Sequence, residues 1–456
     1  MKPFYIFFLS HLKEIITGLK GSNSFVRNVA YNLSGNTFVL IIGFLLTPVI
    51  AKIYGPEAYG NFAIFTAIAS LIIPFATLQL QAGYVAAESK IEFFTLVRIT
   101  LLALVTVTIL SGITLFVYVH FIDNSFESFY FAIPIYVFFS GLFIMFRGWN
   151  IKLQEFKRSA QSRIAATVVG KSSTLSYGII WSQDALGIVI GSVLAFISES
   201  IGLLSKRMLL EAKLIFTKKI EYALYRITLL KYKQYPTYVA LNSIINSIST
   251  QLPIYFIATQ FTKDDVGLFS LSLSLIQIPL NLMGTSIGAV FLPKIAAIIN
   301  DVEIRNKTVL GLFNKLFYVG VIGLLALALV LGLFLTLLLG DEWAGASHLS
   351  SFMAISFAFA VAAIPLSVVF RLIHYEKANL KLTLFFIVFK ICGLVIGGLL
   401  NDFNFAVFIY FFITLIQNAS QIILLFKKLN ISIWPIIRNL AVVILLYLSS
   451  YFIINF

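Results

Sequence analysis

Runs of about 20 apolar residues recur along the whole chain, and this feature restricts the possible folds more than any other. A helix of that length crosses the ~30 Å hydrocarbon layer of a bilayer. Apolar residues make up 60% of the 456 residues and charged residues only 11%, whereas soluble domains contain roughly 25% charged residues. The alternation of apolar and polar residues in ~10-residue segments that marks a membrane β-barrel is missing from the sequence. We therefore predict an all-α polytopic membrane protein, because helices satisfy their own backbone in lipid.

A segment near the N-terminus, residues 32–84, is repeated at residues 241–293. Each copy has two apolar runs joined by a short polar turn, and Gly60 in the first turn corresponds to Gly267 in the second. Each copy also has two prolines 26 residues apart: Pro48 and Pro74 in the first, and Pro253 and Pro279 in the second. Because a proline inside a helix kinks it, we expect these four prolines to act as hinges.

Positive charge is concentrated in alternate loops. Loops on the side of the N-terminus contain 29 of the 33 Lys and Arg residues, whereas the opposite loops contain nine acidic residues and a single base, Lys263. This asymmetry follows the positive-inside rule and places the N-terminus and the basic loops in the cytoplasm. The net charge of +14 therefore reflects topology, and we expect no nucleic-acid binding because the chain has no compact basic domain.

The apolar runs predict thirteen membrane-spanning helices, called spans 1–13 below. Spans 1–6 are residues 32–53, 58–82, 97–119, 129–147, 164–181 and 185–204. Spans 7–12 are residues 236–259, 265–291, 316–338, 346–370, 382–400 and 403–426, and a last run at about 434–454 predicts span 13.

The spans divide the chain into two six-helix halves, residues 32–204 and 236–426. Residues 1–31 are predicted to lie at the cytoplasmic interface, and residues 427–456 contain the extra C-terminal helix. The basic linker, 205–235, joins the halves, and apolar residues within it predict an amphipathic helix on the membrane surface: Met208, Leu209, Ala212, Ile215 and Phe216. Because each half has an even number of spans, we expect a parallel pseudo-twofold repeat, with a ligand cleft between the halves.

Four segments resemble the flippases of polysaccharide repeat units (O-antigen or capsule), a family of the multidrug/oligosaccharidyl-lipid/polysaccharide exporter superfamily. The first is NLSGN…LLTPVIAKIYGPEAYGNFAIF, which runs from the start of span 1 into span 2. The second is FRGWNIKLQEFKRSAQSRI, after span 4, and the third is IGAVFLPKIA, at the end of span 8. The fourth is LGDEWAGASHLSSFMAISFAFAVAAIPLSVVF, which runs from the outer loop through span 10. Span 13 departs from the commonest form of this family, which has twelve helices.

The resemblance implies that the chain moves an undecaprenyl-pyrophosphate-linked oligosaccharide, a precursor of O-antigen or capsular polysaccharide, from the cytoplasmic to the outer leaflet. It implies a multi-pass protein of the bacterial inner membrane that works by alternating access and is not an enzyme. The implied partners are the lipid-linked oligosaccharide, membrane lipids and other membrane proteins of polysaccharide assembly.

Charged residues inside the membrane are rare and usually functional. Lys171 in span 5 and Lys390 in span 11 lie ~12–13 Å from the cytoplasmic end of their helices and occupy equivalent places in the two halves. We expect them to bind the pyrophosphate, and the alternative is that they snorkel to the membrane surface. Further candidates for the pyrophosphate lie near helix ends, where snorkelling or a role in topology is the alternative: Lys52, Arg98, Arg147 and Arg371. Glu199, in span 6, is a candidate coupling group or a salt-bridge partner of one of these cations.

Uncharged polar residues form stripes along three spans at helical spacing. Span 2 has Thr66, Ser70, Thr77 and Gln81, span 7 has Asn242 and Asn246, and span 8 has Ser270, Ser274, Gln277 and Asn281. Such stripes either line a polar cavity, where they would bind sugar hydroxyls, or join helices through hydrogen bonds. Their occurrence at matching places in the repeat favours the cavity.

Two other functional classes fit the sequence less well. A cation-coupled exporter of small molecules would be expected to carry a carboxylate deep in the first spans, but spans 1–5 contain none. A membrane-embedded enzyme would need larger outer loops or clustered catalytic side chains.

Cofactor and metal motifs are also missing from the sequence. Gly170-Lys171-Ser172 imitates the end of a phosphate-binding loop, but Ala165 occupies the place of its required first glycine. The four histidines do not have the spacing of metal ligands. We therefore expect no cofactor and no metal.

Overall fold

The structure is a computed structural model that describes residues 24–121, 127–217, 222–373 and 375–455. The described residues form fifteen α-helices, numbered here in chain order. In the first part of the chain these are α1 (Ser24–Thr77), α2 (Lys90–Phe121), α3 (Ile133–Leu153), α4 (Phe156–Ile180), α5 (Ala185–Leu203), α6 (Lys206–Thr217), α7 (Tyr222–Lys231) and α8 (Ala240–Gln260). In the second part they are α9 (Lys263–Ala297), α10 (Val302–Leu339), α11 (Ala344–Ser356), α12 (Ala360–Leu372), α13 (Glu376–Leu399), α14 (Phe403–Leu429) and α15 (Trp434–Asn455). The prediction of an all-helical membrane protein is confirmed.

Helix α1 contains the predicted turn between spans 1 and 2. Gly55 has a positive φ of 73°, which interrupts the helical backbone inside α1. A residue with a Cβ rarely adopts this conformation, whereas glycine adopts it without steric cost. Pro56 follows directly, and proline is well suited to the first turn of the helix that begins there.

Length and apolar composition identify eight helices that could cross a membrane among the residues described, or nine if α11 and α12, bent by 44°, form one span. Helix α1 is counted as one of these eight helices, although Gly55 divides it into the two segments that were predicted as spans 1 and 2. Helices α4, α8 and α9 are not among the eight. Each of the thirteen predicted spans overlaps at least one helix, but the number of crossings stays a prediction.

The chain forms two compact units. One contains the described residues up to Leu46 together with Asn61–Leu252, and the other contains Thr47–Gly60 together with the described residues from Pro253 onward. The linker thus belongs to the first unit, and the end of span 1 belongs to the second. The division into two six-helix halves stays a prediction.

The core of the first unit includes part of the linker. Met208 and Ile215 of α6 are buried in the same apolar cluster as Phe93 and Trp149. Leu209 and Phe216 are 53% and 70% exposed. The predicted linker helix is therefore confirmed, but its apolar residues do not form a single lipid-facing stripe, because two of them pack against α2 and α3.

Two repeat-related glycines contact each other's helices within the second unit. A Cβ added at Gly60 would overlap the carbonyl oxygen of Lys263, and a Cβ at Gly267 would overlap the carbonyl oxygen of Pro56. The contact is reciprocal, since each glycine lies against a carbonyl of the other segment.

Helix α15 packs against the second unit through aromatic side chains. The Tyr447 hydroxyl donates a hydrogen bond of 2.7 Å to the Phe408 carbonyl, and the rings of Phe408 and Tyr451 lie 4.1 Å apart. The predicted C-terminal helix is thus an integral part of this unit.

Candidate functional site

The segment from the end of α3 into α4, which carries part of the family resemblance, ties the ends of several helices together. Trp149 donates from its indole nitrogen to the Glu211 carboxylate of α6 at 3.0 Å. The Asn150 amide donates to the Leu203 carbonyl at 3.0 Å, and Arg158 donates to the Leu204 carbonyl at 2.8 Å. The last carbonyls of a helix have no partner within it, so Asn150 and Arg158 satisfy the C-terminal end of α5.

Arg98 is held by the linker. Its guanidinium donates two hydrogen bonds to the carbonyl oxygen of Ile215 in α6 and one of 2.9 Å to the Tyr225 hydroxyl in α7. These contacts occupy donors on all three guanidinium nitrogens. Arg98 therefore anchors α6 and α7 to α2, which leaves few donors for a substrate phosphate.

Glu199, near the C-terminal end of α5, interacts with two arginines. Its carboxylate is 3.7 Å from the Arg163 guanidinium, with the two side chains 12% and 17% exposed, and Arg147 also interacts with it electrostatically. The predicted salt bridge is present, but its nearest partner is Arg163, which was not among the predicted cations. Two guanidinium groups and one carboxylate leave the cluster with a net charge of +1.

The two deep lysines lie beside tightly packed helix pairs. Three and seven residues after Lys171 come Thr174 and Gly178, which are buried. Three and seven residues after Lys390 come Gly393 and Gly397, which are also buried. Residues at these spacings share one face of a helix, so each lysine lies on the face that packs against the next helix.

The glycine contacts show how close this packing is. A Cβ at Gly191 of α5 would overlap the Thr174 hydroxyl, and a Cβ at Gly393 would overlap Ile409 of α14. The same arrangement of lysine and small residues thus occurs in α4–α5 and in α13–α14. This likeness supports the predicted equivalence of Lys171 and Lys390.

Neither deep lysine forms an ion pair among the described residues, where the five salt bridges involve other cations. Both side chains are half-buried. The Lys390 ammonium lies 5.1 Å from the centre of the Tyr410 ring, a contact that stabilises a cation without neutralising it. Neither lysine is thus paired with a carboxylate in the described structure, and each could pair with an anion.

The other three predicted cations show no contact among the described residues that marks them as phosphate ligands. Lys52 is exposed on α1. Arg371 lies in α12, but its side chain is outside the described residues. Arg147 is exposed at the end of α3, with its guanidinium 6.0 Å from the Phe143 ring.

The polar stripe of span 2 is shorter than predicted. Thr66 and Ser70 donate to carbonyls of their own helix, at 3.0 and 2.7 Å. Thr77 is fully buried, and its hydroxyl has no hydrogen-bond partner among the described atoms. Gln81 lies beyond the end of α1, in the 3₁₀ turn Leu80–Gly83. It does not continue the helical face, because Leu78 and Gln79 have positive φ values.

The polar residues of spans 7 and 8 are mostly exposed. Asn242 and Asn246 of α8 and Gln277 and Asn281 of α9 are exposed, whereas Ser274 donates to the carbonyl of Ser270 at 2.7 Å. Ser270 is buried, and its own hydroxyl has no partner in the described structure. Thr77 and Ser270 thus have buried hydroxyls without a hydrogen-bond partner in the described structure, which is uncommon in folded proteins.

The four predicted hinge prolines all lie inside helices: Pro48 and Pro74 in α1, Pro253 in α8 and Pro279 in α9. Each therefore removes a backbone hydrogen bond from the helix interior. Their role as hinges stays a prediction.

Comparison with known proteins identifies the fold and the family. A family model described as "Polysaccharide biosynthesis protein" matches residues 49–348. No curated protein matches the sequence.

Several solved structures that resemble the chain are transporters. Lipid II flippase MurJ in an inward closed conformation is 14% identical, with a TM-score of 0.64 over 92% of this chain and 97% of that one. An inward-facing multidrug resistance MATE family transporter is 14% identical, with a TM-score of 0.59 over the same shares. A MOP superfamily transporter from Pyrococcus furiosus is 13% identical, with a TM-score of 0.56 over 89% and 96%. The chain therefore belongs to the polysaccharide biosynthesis protein family and has the fold of the MurJ and MATE transporters of the MOP superfamily.

Proposed function

We propose that this protein is a flippase for lipid-linked oligosaccharides. It moves an undecaprenyl-pyrophosphate-linked repeat unit, a precursor of O-antigen or capsular polysaccharide, from the cytoplasmic to the outer leaflet of the bacterial inner membrane. Family membership supports a role in polysaccharide synthesis, and the fold supports transport. The protein acts by alternating access and forms no covalent bond with its substrate.

The observation that carries this proposal is the pair of deep lysines. A pyrophosphate that crosses the bilayer needs a cation in place of water, because an unpaired charge in hydrocarbon costs several kcal/mol. Lys171 and Lys390 occupy equivalent positions in the repeat and have no carboxylate partner among the described residues. Unneutralised ammonium groups at this depth favour an anionic substrate.

The polar groups without partners suit the sugars of the same substrate. The buried hydroxyls of Thr77 and Ser270 have no hydrogen-bond partner in the described structure, and Asn242, Asn246 and Gln277 are exposed. Hydroxyls and amides both donate and accept hydrogen bonds, as sugar hydroxyls do. We therefore assign these side chains to the saccharide and the lysines to the pyrophosphate.

The cation-coupled exporter of small molecules is the alternative, since MATE transporters share this fold. Proton or cation coupling requires a carboxylate that is able to change its charge or its partner during transport. Glu199 is a buried carboxylate of the first unit, and its contact with Arg163 at 3.7 Å keeps it paired. The geometry therefore favours the flippase.

Deletion of the gene tests the proposal. Cells without the protein should accumulate lipid-linked repeat units on the cytoplasmic leaflet, where sugar-modifying reagents applied outside intact cells do not reach them. Expression of the wild-type chain should restore their appearance on the outer leaflet. If repeat units still reach the outer leaflet after deletion and the cells become sensitive to cationic drugs, the flippase is rejected and the exporter is favoured.

A further inference from the structure

An open cleft of about 330 Å³ lies between the N-terminal end of α2 and the linker helix α7. Ile91, Leu224 and Ile227 form its apolar lining, and the side chains of Glu88, Glu92 and Lys231 form its charged lining. All of these residues belong to the first unit. The cleft contains none of the candidate substrate residues described above.

The cleft contains more acidic than basic side chains. The Lys231 ammonium lies 2.6 Å from the Glu92 carboxylate and 3.6 Å from the Glu88 carboxylate. The hydrogen bond from Lys231 to Glu92 raises the pKa of the lysine, so the ammonium stays charged. Because two carboxylates face one ammonium, the cleft has a net charge of −1. The Glu88 side chain is 84% exposed and the Glu92 side chain 15%, so Glu88 is the carboxylate that an incoming cation meets.

The predicted start of span 3 would place the cleft at the level of the lipid headgroups. Span 3 was predicted to begin at residue 97, and Glu88 and Glu92 precede it by nine and five residues. At 1.5 Å per residue, this places Glu92 ~8 Å outside the hydrocarbon layer, within the headgroup region of the bilayer. Ile91 and Ile227 are 39% and 59% exposed, so they present apolar surface to an acyl chain.

We propose that this cleft binds a phospholipid whose headgroup carries a primary ammonium beside its phosphate, as in phosphatidylethanolamine. The lipid ammonium donates to the Glu88 carboxylate, its phosphate lies near Lys231, and an acyl chain covers Ile91 and Ile227. An anionic headgroup without an amine would meet two carboxylates. A quaternary choline headgroup has no N–H to donate, so it would lose the charge-assisted hydrogen bonds.

Lipid-dependent stability tests this proposal. The full-length protein is reconstituted in phosphatidylcholine vesicles, either pure or mixed with phosphatidylethanolamine or phosphatidylglycerol, and its thermal unfolding is followed. We expect phosphatidylethanolamine to raise the Tm by several degrees over pure phosphatidylcholine, because a ligand that binds only the folded state stabilises it. The N-methyl and N,N-dimethyl derivatives, which keep an N–H, should retain this effect in decreasing order.

The variant Glu88→Gln separates a specific site from a general bilayer effect. It keeps the Glu92–Lys231 pair, so its Tm in pure phosphatidylcholine should equal that of the wild type, whereas the increment from phosphatidylethanolamine should vanish. Glu303→Gln, at an exposed glutamate of the second unit, should keep the full increment. The proposal is overturned if Glu88→Gln shows the wild-type increment, or if phosphatidylglycerol stabilises the wild type more than phosphatidylethanolamine does.

Discussion

The indole nitrogen of Trp149 lies 3.0 Å from a carboxylate oxygen of Glu211 and donates a hydrogen bond to it, which joins α3 to the linker helix α6. Trp149 is 2% exposed, and the Glu211 side chain, also 3.7 Å from Arg207, is 15% exposed. A poorly solvated carboxylate that loses a donor is costly. This bond therefore attaches the linker helix α6 to α3 within the first unit.

The Trp149→Phe variant should destabilise the first unit by about 1–3 kcal/mol, because phenylalanine keeps the aromatic packing but leaves the Glu211 carboxylate without the indole N–H. Thermal unfolding of the purified protein measures the loss, and limited proteolysis should show faster cleavage within residues 205–235. The matched control is Trp434→Phe, since Trp434 is 66% exposed. Equal stability of the two variants would mean that the hydrogen bond contributes nothing.

Replacement of the deep lysines should impair transport rather than folding. A hydrogen bond to a charged group contributes about 1.5–3 kcal/mol, so Lys171→Ala or Lys390→Ala should lower export of repeat units roughly ten- to hundredfold. The amount of protein in the membrane, measured by immunoblot, should not change. Lys307→Ala, at an exposed lysine of α10, serves as the control. Undiminished export in both deep variants would remove these lysines from the site.

The Glu199–Arg163 pair should behave as a structural ion pair. Removal of one member, as in Arg163→Gln, leaves a buried charge without its nearest partner and should cost about 3–5 kcal/mol. The double variant Arg163→Met/Glu199→Met removes both charges and should regain most of the lost stability. We expect this double variant to retain export. If it folds as stably as the wild type but no longer exports, Glu199 is a coupling group instead.

The reciprocal contact of Gly60 and Gly267 should tolerate no side chain. Gly267→Ala places a Cβ against the Pro56 carbonyl, so the two segments must separate and the Tm should fall by several degrees. Gly323→Ala is the control, because no atom lies within 4 Å of a Cβ at that position. Alanine is the better helix former by about 1 kcal/mol, so this control should leave the Tm unchanged or raise it. An equal effect of both variants would contradict the contact.

The sequence predicted the helices well because an apolar run of about 20 residues leaves the backbone few alternatives in lipid. It also predicted the break near Gly55, where glycine and proline adjoin. It did not identify Arg163, although the segment that contains it was singled out, since spacing does not show which of several arginines meets a carboxylate on another helix. Gln81 was misplaced for a similar reason: a helical periodicity does not indicate where the helix ends.

The placement of Thr47–Gly60 in the second unit has a consequence for biosynthesis. Lys263, whose carbonyl lies against Gly60, follows it by about 200 residues. At the ~5–20 residues per second of a ribosome, this partner is made roughly 10–40 s later. The early segment must therefore remain in the nascent chain without its final neighbours while most of the first unit is translated and inserted. Correct assembly thus depends on the order and speed of synthesis, and a change in translation rate between these two points should alter the yield of folded protein.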